Sequence, residues 1–365
     1  MQAYQSCCVC TSTWSKGIGP RAKCLYDGYR RFLKPGSRGR HRRVRFGGHV
    51  YQYRRVETRP IPRFRDDDFV RTTVMFAKRK RQPVVGHKSV PLLANWPGYS
   101  WYRMNTPDLM HGKTCVPCYV RVALTLTRHL PVCLTDSKLV LEMLTKLMVG
   151  YVYDAGSYSS WSKDAKHRSE AQVCGIFRDI WPDRAGPLPW RLTKEEREFL
   201  DKRMLGVIWP HYLDRVAYRG FSFWKKPNRL WKTRRKIMLL YYILPTQLRD
   251  QVPQLRVAIN EFVWAMRRLE GQVHSYHTAT SVLGILPGSR TVRKSELQKL
   301  HNDLVRALCL FEGCIPPSHL KPALHHFTHY AEYTKSHGSL RLFWMMVFER
   351  CVCARVCHTA SYQHH

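Results

Sequence analysis

The stretch His325-His326-Phe327-Thr328-His329, followed by Trp344-Met345-Met346-Val347-Phe348-Glu349-Arg350, decides how this chain is read. His325 and His329 stand four residues apart. On a helix they share one face, spaced to hold a metal ion or a phosphate together. Pro316-Pro317 suits the first turn of a helix that carries them. Glu349 then stands in an aromatic and apolar setting, in a chain with 61 Lys+Arg against 26 Asp+Glu. A carboxylate placed there needs a task.

Charge narrows the partners. The 365 residues carry a formal charge of +35. Such a chain repels itself strongly unless a polyanion is present, so nucleic acid is the natural partner, with binding that weakens steeply as salt rises. A basic, RNA-associated structural protein is the alternative class. The apolar share of 44% supports a packed core. Met1 to Cys10 lacks the pattern of a secretory signal, and the longest apolar run, Ile237 to Leu244, is too short to span a bilayer. Thirteen cysteines in that context read as reduced thiols or metal ligands. The expected setting is the nucleus. Lys78-Arg79-Lys80-Arg81 fits a nuclear localisation signal and equally a phosphate-binding surface. Neither a membrane nor a small-molecule substrate is expected.

From Arg21 to Arg65 there are fifteen Lys/Arg and two acids, Asp27 and Glu57. Tyr26, Tyr29, Phe32, Phe46, Tyr51, Tyr53 and Phe64 are interleaved with them. Basic residues mixed with rings suit a nucleic-acid surface, with Arg on phosphate and rings stacked on exposed bases. The competing reading is a solvated basic loop whose rings tuck beneath it. Candidate nucleic-acid contacts here are Arg30, Arg31, Arg42, Arg43, Arg54 and Arg55.

Helix signals follow. Asp66-Asp67-Asp68 reads as the acidic start of a helix within Arg65 to Arg81, because consecutive side chains on a helix diverge too widely to share a metal. Val120 to Leu130, Lys138 to Tyr151 and Ala165 to Ile180 are expected helices. Thr193-Lys194-Glu195-Glu196 is a capping box. Lys232 to Leu244 reads as a buried helix. Leu255, Ile259, Phe262, Met266 and Leu269 form a core-facing stripe at spacings of four and three. Ser295-Glu296-Leu297-Gln298 reads as a second capping box opening a helix to about Cys314.

Several motifs, in order, carry a resemblance. They are Cys7-Cys8-Val9-Cys10-Thr11, Leu25-Tyr26-Asp27-Gly28-Tyr29-Arg30-Arg31-Phe32-Leu33, Pro107-Asp108-Leu109-Met110-His111, Leu192-Thr193-Lys194-Glu195-Glu196, Phe311 to Ser318, and Phe348-Glu349-Arg350. Together they resemble, in family order, segments of the CACTA-type (En/Spm) DNA transposases. Cys8 stands where the family has proline, and Tyr29 where it has histidine. The resemblance implies a partial RNase-H-like catalytic fold. In such a fold separated carboxylates hold two Mg²⁺ ions that drive in-line attack on phosphate. Asp108 and Glu349 would be the second and third acids. The helices between them would be an insertion, with phosphate contacts from Lys232, Arg234 and Arg235.

Zinc asks for four N/S ligands in a tetrahedron. Cys7-x-x-Cys10 with Cys24 is one partial set. Cys115-x-x-Cys118 with His325 and His329 is a complete one, and similarity to the V(D)J recombinase, which couples a Cys-x-x-Cys to a histidine pair, favours the second. His111, beside Asp108, would orient the acid, contact phosphate or ligate metal.

The expected fold is mainly α with a small β part. Residues 1–65 form a basic Cys-containing segment, 66–160 a partial RNase-H-like core, 161–314 a helical insertion, 315–350 the histidine-pair helix and last acid, and 351–365 an unstructured tail. The family's first acid lies upstream of the Cys7 segment and has no counterpart here. The chain is therefore expected to be transposon-derived, to bind DNA, and not to catalyse phosphoryl transfer unless a full-length transposase or another second chain supplies the missing acid. A non-enzymatic DNA-binding module retained from a transposon is the runner-up.

Overall fold

The computed structural model describes residues 7, 9–13, 15–16, 24–26, 28–53, 55–81, 97, 100, 134–148, 190–206, 224, 239–248, 252–269, 294–315, 319–320 and 322–337. Helix dominates. The main helices are α1 (Asp67–Lys80), α2 (Leu134–Met148), α3 (Lys194–Leu205), α4 (Pro253–Leu269), α5 (Lys294–Cys314) and α6 (Tyr330–His337). Among the described residues the β part is two antiparallel ribbons: β1 (Ser15–Lys16) with β2 (Cys24–Leu25), and β3 (Arg43–Phe46) with β4 (His49–Gln52). Among the described residues no helix is long and apolar enough to cross a membrane.

Local chemistry sets several boundaries. The Asp66 carboxylate accepts from the Phe69 amide at 2.7 Å and caps α1. Arg81 ends the helix in the left-handed region, so the acidic run is a helix start. Thr193 and Glu196 exchange both bonds of the capping box that opens α3. All five stripe residues of α4 are buried. Other starts move. Helix α2 begins four residues before the expected Lys138. Helix α5 begins at Lys294, so Ser295 and Gln298 lie inside it and Gln298 bonds Asn302 instead of capping. The buried stretch before Gln247 is wound as a wider π-turn, Leu239–Ile243, before one α-turn.

The core sits where α4, α5 and the C-terminal helical passage meet. Phe262 of α4 lies 6.1 Å from Phe311 of α5 and edge-on at 4.9 Å to Phe327. The β3–β4 hairpin lies against this core by one face. Tyr51 donates to the Gln254 carbonyl at 3.0 Å, and Arg306 of α5 stands over the Phe46 ring. Gly313 permits the approach: a Cβ there would lie 2.9 Å from Tyr51 and Tyr53 atoms. The hairpin turns through Gly47 and Gly48, both with positive φ, which matches the twist of a two-residue hairpin loop.

The N-terminal segment is therefore part of the core. Tyr26, Tyr29, Tyr51 and Tyr53 are buried in the core and so unavailable for base stacking, and Phe32 and Phe46 pack half-buried against that core. Only Phe64 among the seven interleaved aromatics is exposed. Arg30 is a second correction. It is 1% exposed, and its Nε donates to Glu312 at 3.2 Å. Its Nη1 donates to the Arg40 and His41 carbonyls, and its Nη2 to the Arg55 carbonyl. A guanidinium held this way is an internal cross-link and does not reach phosphate. Arg40 is spent likewise on the carbonyls of Leu33, Arg31 and Arg59.

Candidate metal centre

Four side chains from the two ends of the chain converge. The ligand atoms of Cys7, Cys10, His325 and His329 lie within 4.8 Å of one another, and all four residues are buried. Cys7 Sγ is 3.4 Å from His329 Nε2, Cys10 Sγ is 3.3 Å from His325 Nε2, and the two Nε2 atoms are 3.0 Å apart. A tetrahedral zinc, with Zn–S of about 2.3 Å and Zn–N of about 2.05 Å, sets S···N edges of ~3.5 Å and an N···N edge of ~3.3 Å. These three edges match within a few tenths of an ångström, and the whole set of four atoms spans no more than 4.8 Å. This is a Cys₂His₂ cluster able to hold a metal ion such as zinc.

The histidines come from one helical passage. A single α-turn, Pro322–His325, runs into a 3-10 turn, His326–His329, and then into α6. The α-turn thus begins at Pro322, not at the expected Pro316-Pro317. The rings of His325 and His329 lie edge-on with centroids 4.7 Å apart. The cysteines come from a tight loop. Its Cys7 amide donates to the Ser12 carbonyl at 2.9 Å. Residues 63–65 flank it: Thr11 donates to the Arg63 carbonyl, Arg65 returns a bond to the Val9 carbonyl, and the Arg65 guanidinium donates to the Cys10 carbonyl.

The surroundings favour ligand-ready forms. The Val9 amide donates to Cys7 Sγ and the Ser12 amide to Cys10 Sγ, each at 3.3 Å, so backbone dipoles point at the sulfurs. Burial by itself would raise the Cys10 thiol, yet hydrogen bonds from Cys7, His325 and His329 outweigh it and hold the group far below its ordinary value. Burial pushes the His325 imidazole down to about 4, against the pull of Cys10. Thiolate and neutral imidazole are the states a metal requires. Aromatic rings close the site: Tyr26 lies 4.4 Å from His325, and Phe64 lies 5.4 Å from His329. Tyr26 is itself held by Ser12 and by the Gly28 carbonyl.

The histidine pair thus meets Cys7 and Cys10, whereas similarity to the recombinase favoured Cys115 and Cys118. Cys115, Cys118 and His111 lie outside the described residues, as do Asp108, Glu349, Arg54, Lys232, Arg234 and Arg235. Cys24 is in β2, and its side chain is outside them too. Among the described residues the Cys₂His₂ set is the one group of three or more candidate ligands, so no carboxylate cluster suited to Mg²⁺ is found there. Arg42, Arg43 and Arg55 are exposed, and Arg31 is half-buried with its Nε on the Pro60 carbonyl. No family model, curated protein or solved structure matches this chain.

Proposed function

We propose that this chain is a DNA-binding protein of transposase ancestry whose fold is fastened by a structural zinc ion. The observation that carries the reading is the buried Cys₂His₂ cluster, which joins residues 315 and 322 positions apart. All four positions are filled by protein N and S atoms. That is the pattern of a structural site, since a catalytic zinc keeps one position for water or substrate. The site ties the cationic N-terminal segment to the helices bearing the core, so the metal holds a basic surface in shape.

DNA as the partner rests on the +35 charge and on the ordered resemblance to CACTA-type transposases, which also supports an RNase-H-like ancestry and a nuclear setting. Phosphoryl transfer is no part of the proposal, because the described residues offer no carboxylate site through which to derive it. The test is elemental analysis of the purified chain together with duplex-DNA binding before and after chelation. One zinc per chain, and affinity that falls on chelation and returns with zinc, are expected. Absence of bound metal, or DNA binding indifferent to its removal, would overturn the reading.

A further inference from the structure

The β3–β4 hairpin has two unlike faces. Side chains alternate along a strand, and directly opposed residues share a face. Val44 opposes Tyr51 and Phe46 opposes His49; this face lies on the core. Arg43 opposes Gln52 and Arg45 opposes Val50, so these four form the outer face. Arg43 and Arg45 are exposed, and no acid among the described residues pairs with either. From Gly28 to Arg65 the single acid in the sequence is Glu57, which is buried and bound by Arg59. Lys34, Arg38, Arg42, Arg55 and Arg63 are exposed in the same segment. The inward arginines, Arg30, Arg40 and Arg65, are spent on the fold.

We propose that the outer face of the β3–β4 hairpin enters the major groove of duplex DNA, with Arg43, Arg45 and Gln52 toward base edges and Arg38 and Arg42 toward phosphates. The proposal rests on the DNA-binding reading above and names the element and the groove. Charge complementarity selects a polyanion; shape selects the duplex. A two-stranded ribbon fits the roughly 12 Å major groove of B-form DNA. The major groove of A-form RNA is too deep and narrow for side chains to read. Residues two apart on a strand are separated by about 7 Å, close to two base-pair steps. Arg43 and Arg45 can therefore address base pairs two steps apart, with one pair between them. Arg suits the O6/N7 edge of guanine, and Gln the N6/N7 edge of adenine. The Tyr51 bond to the Gln254 carbonyl fastens the ribbon to its scaffold.

The experiment uses the full zinc-loaded chain, a mixed-sequence DNA duplex, and fluorescence anisotropy across a salt series. It is paired with dimethyl sulfate protection of guanine N7, an atom of the major groove. The test variant is Arg43→Gln with Arg45→Gln. The control is Arg79→Gln with Lys80→Gln on α1, which removes equal charge elsewhere. Expected results are affinity lowered about tenfold or more in the hairpin variant, a much smaller loss in the control, and N7 protection lost only in the hairpin variant. Equal losses in both variants, unprotected N7 in the wild-type complex, or tighter binding to duplex RNA would overturn the proposal while leaving a nucleic-acid-binding protein. Failure of the wild-type chain to bind any duplex would instead overturn the DNA-binding reading as well.

Discussion

Replacing Glu312 on α5 should be among the most damaging single changes in this protein. Its carboxylate accepts from the Tyr29 amide at 2.9 Å and from Arg30 Nε at 3.2 Å, with both side chains nearly sealed from water. Glu312→Leu keeps roughly the volume but leaves the Arg30 guanidinium charged, buried and without its counter-ion. It also orphans the Tyr29 N–H. Breaking a buried pair from one side costs about 3–5 kcal/mol, and the orphaned amide falls within the same disruption. Three carbonyl bonds to Arg30 persist, which argues for the middle of that range, about 4 kcal/mol. For a 365-residue chain unfolding as one unit, that corresponds to a Tm lower by about 5 °C. Arg30→Met should also destabilise, because Glu312 and three carbonyls lose a donor. The double variant should cost less than the sum of the two, by about 2 kcal/mol, because neither charge then remains alone. Urea unfolding followed by circular dichroism would measure all three. A Glu312→Leu cost below about 1 kcal/mol, or additivity within about 0.5 kcal/mol, would refute the claim that the pair is a buried, mutually dependent cross-link.

The metal centre and the packing give further expectations. Cys10→Ala should abolish stoichiometric zinc binding, and if zinc stands a thousandfold above its Kd it should cost about 4 kcal/mol; zinc titration of thermal melts checks both. In the metal-free chain, His325 titrates at about 4 when folded against 6.5 for the ordinary group, so between those values the unfolded state binds more protons. Its contribution is whole above about pH 6.5 and is lost progressively as pH falls to about 4, by on the order of 3 kcal/mol; urea midpoints measured across that window should fall, and a flat profile would sink the assignment. Gly313→Ala should cost about 1–3 kcal/mol by forcing Tyr51 and Tyr53 away from α5, read as a lower urea midpoint, and an unchanged midpoint would mean the hairpin does not seat there.

Much of the helical framework was legible in local sequence because its causes are local. The α4 stripe follows from 3.6-residue periodicity, the start of α3 from the Thr193–Glu196 box, and the start of α1 from the Asp66 cap. Where two signals compete, local reading slips. Ser295-to-Gln298 has the letters of a capping box, but the helix already runs through them from Lys294. The hairpin was also open to reading, since Arg43-Val44-Arg45-Phe46 alternates and Gly47-Gly48 marks a two-residue turn. Charge density hid it, because so many arginines look like uniform surface.

What the sequence determined by itself is a basic, mainly helical chain with a histidine pair poised on one helix face. Only the tertiary structure decided which cysteines those histidines meet and which arginines face water. The physical reason is distance along the chain. Cys10 and His325 are 315 residues apart, and no periodicity or cap couples positions so remote. Arginine burial is equally non-local: Arg30 is inside because Glu312 and three carbonyls converge on it, and Arg43 is outside because Val44 and Tyr51 claim the other face of the ribbon.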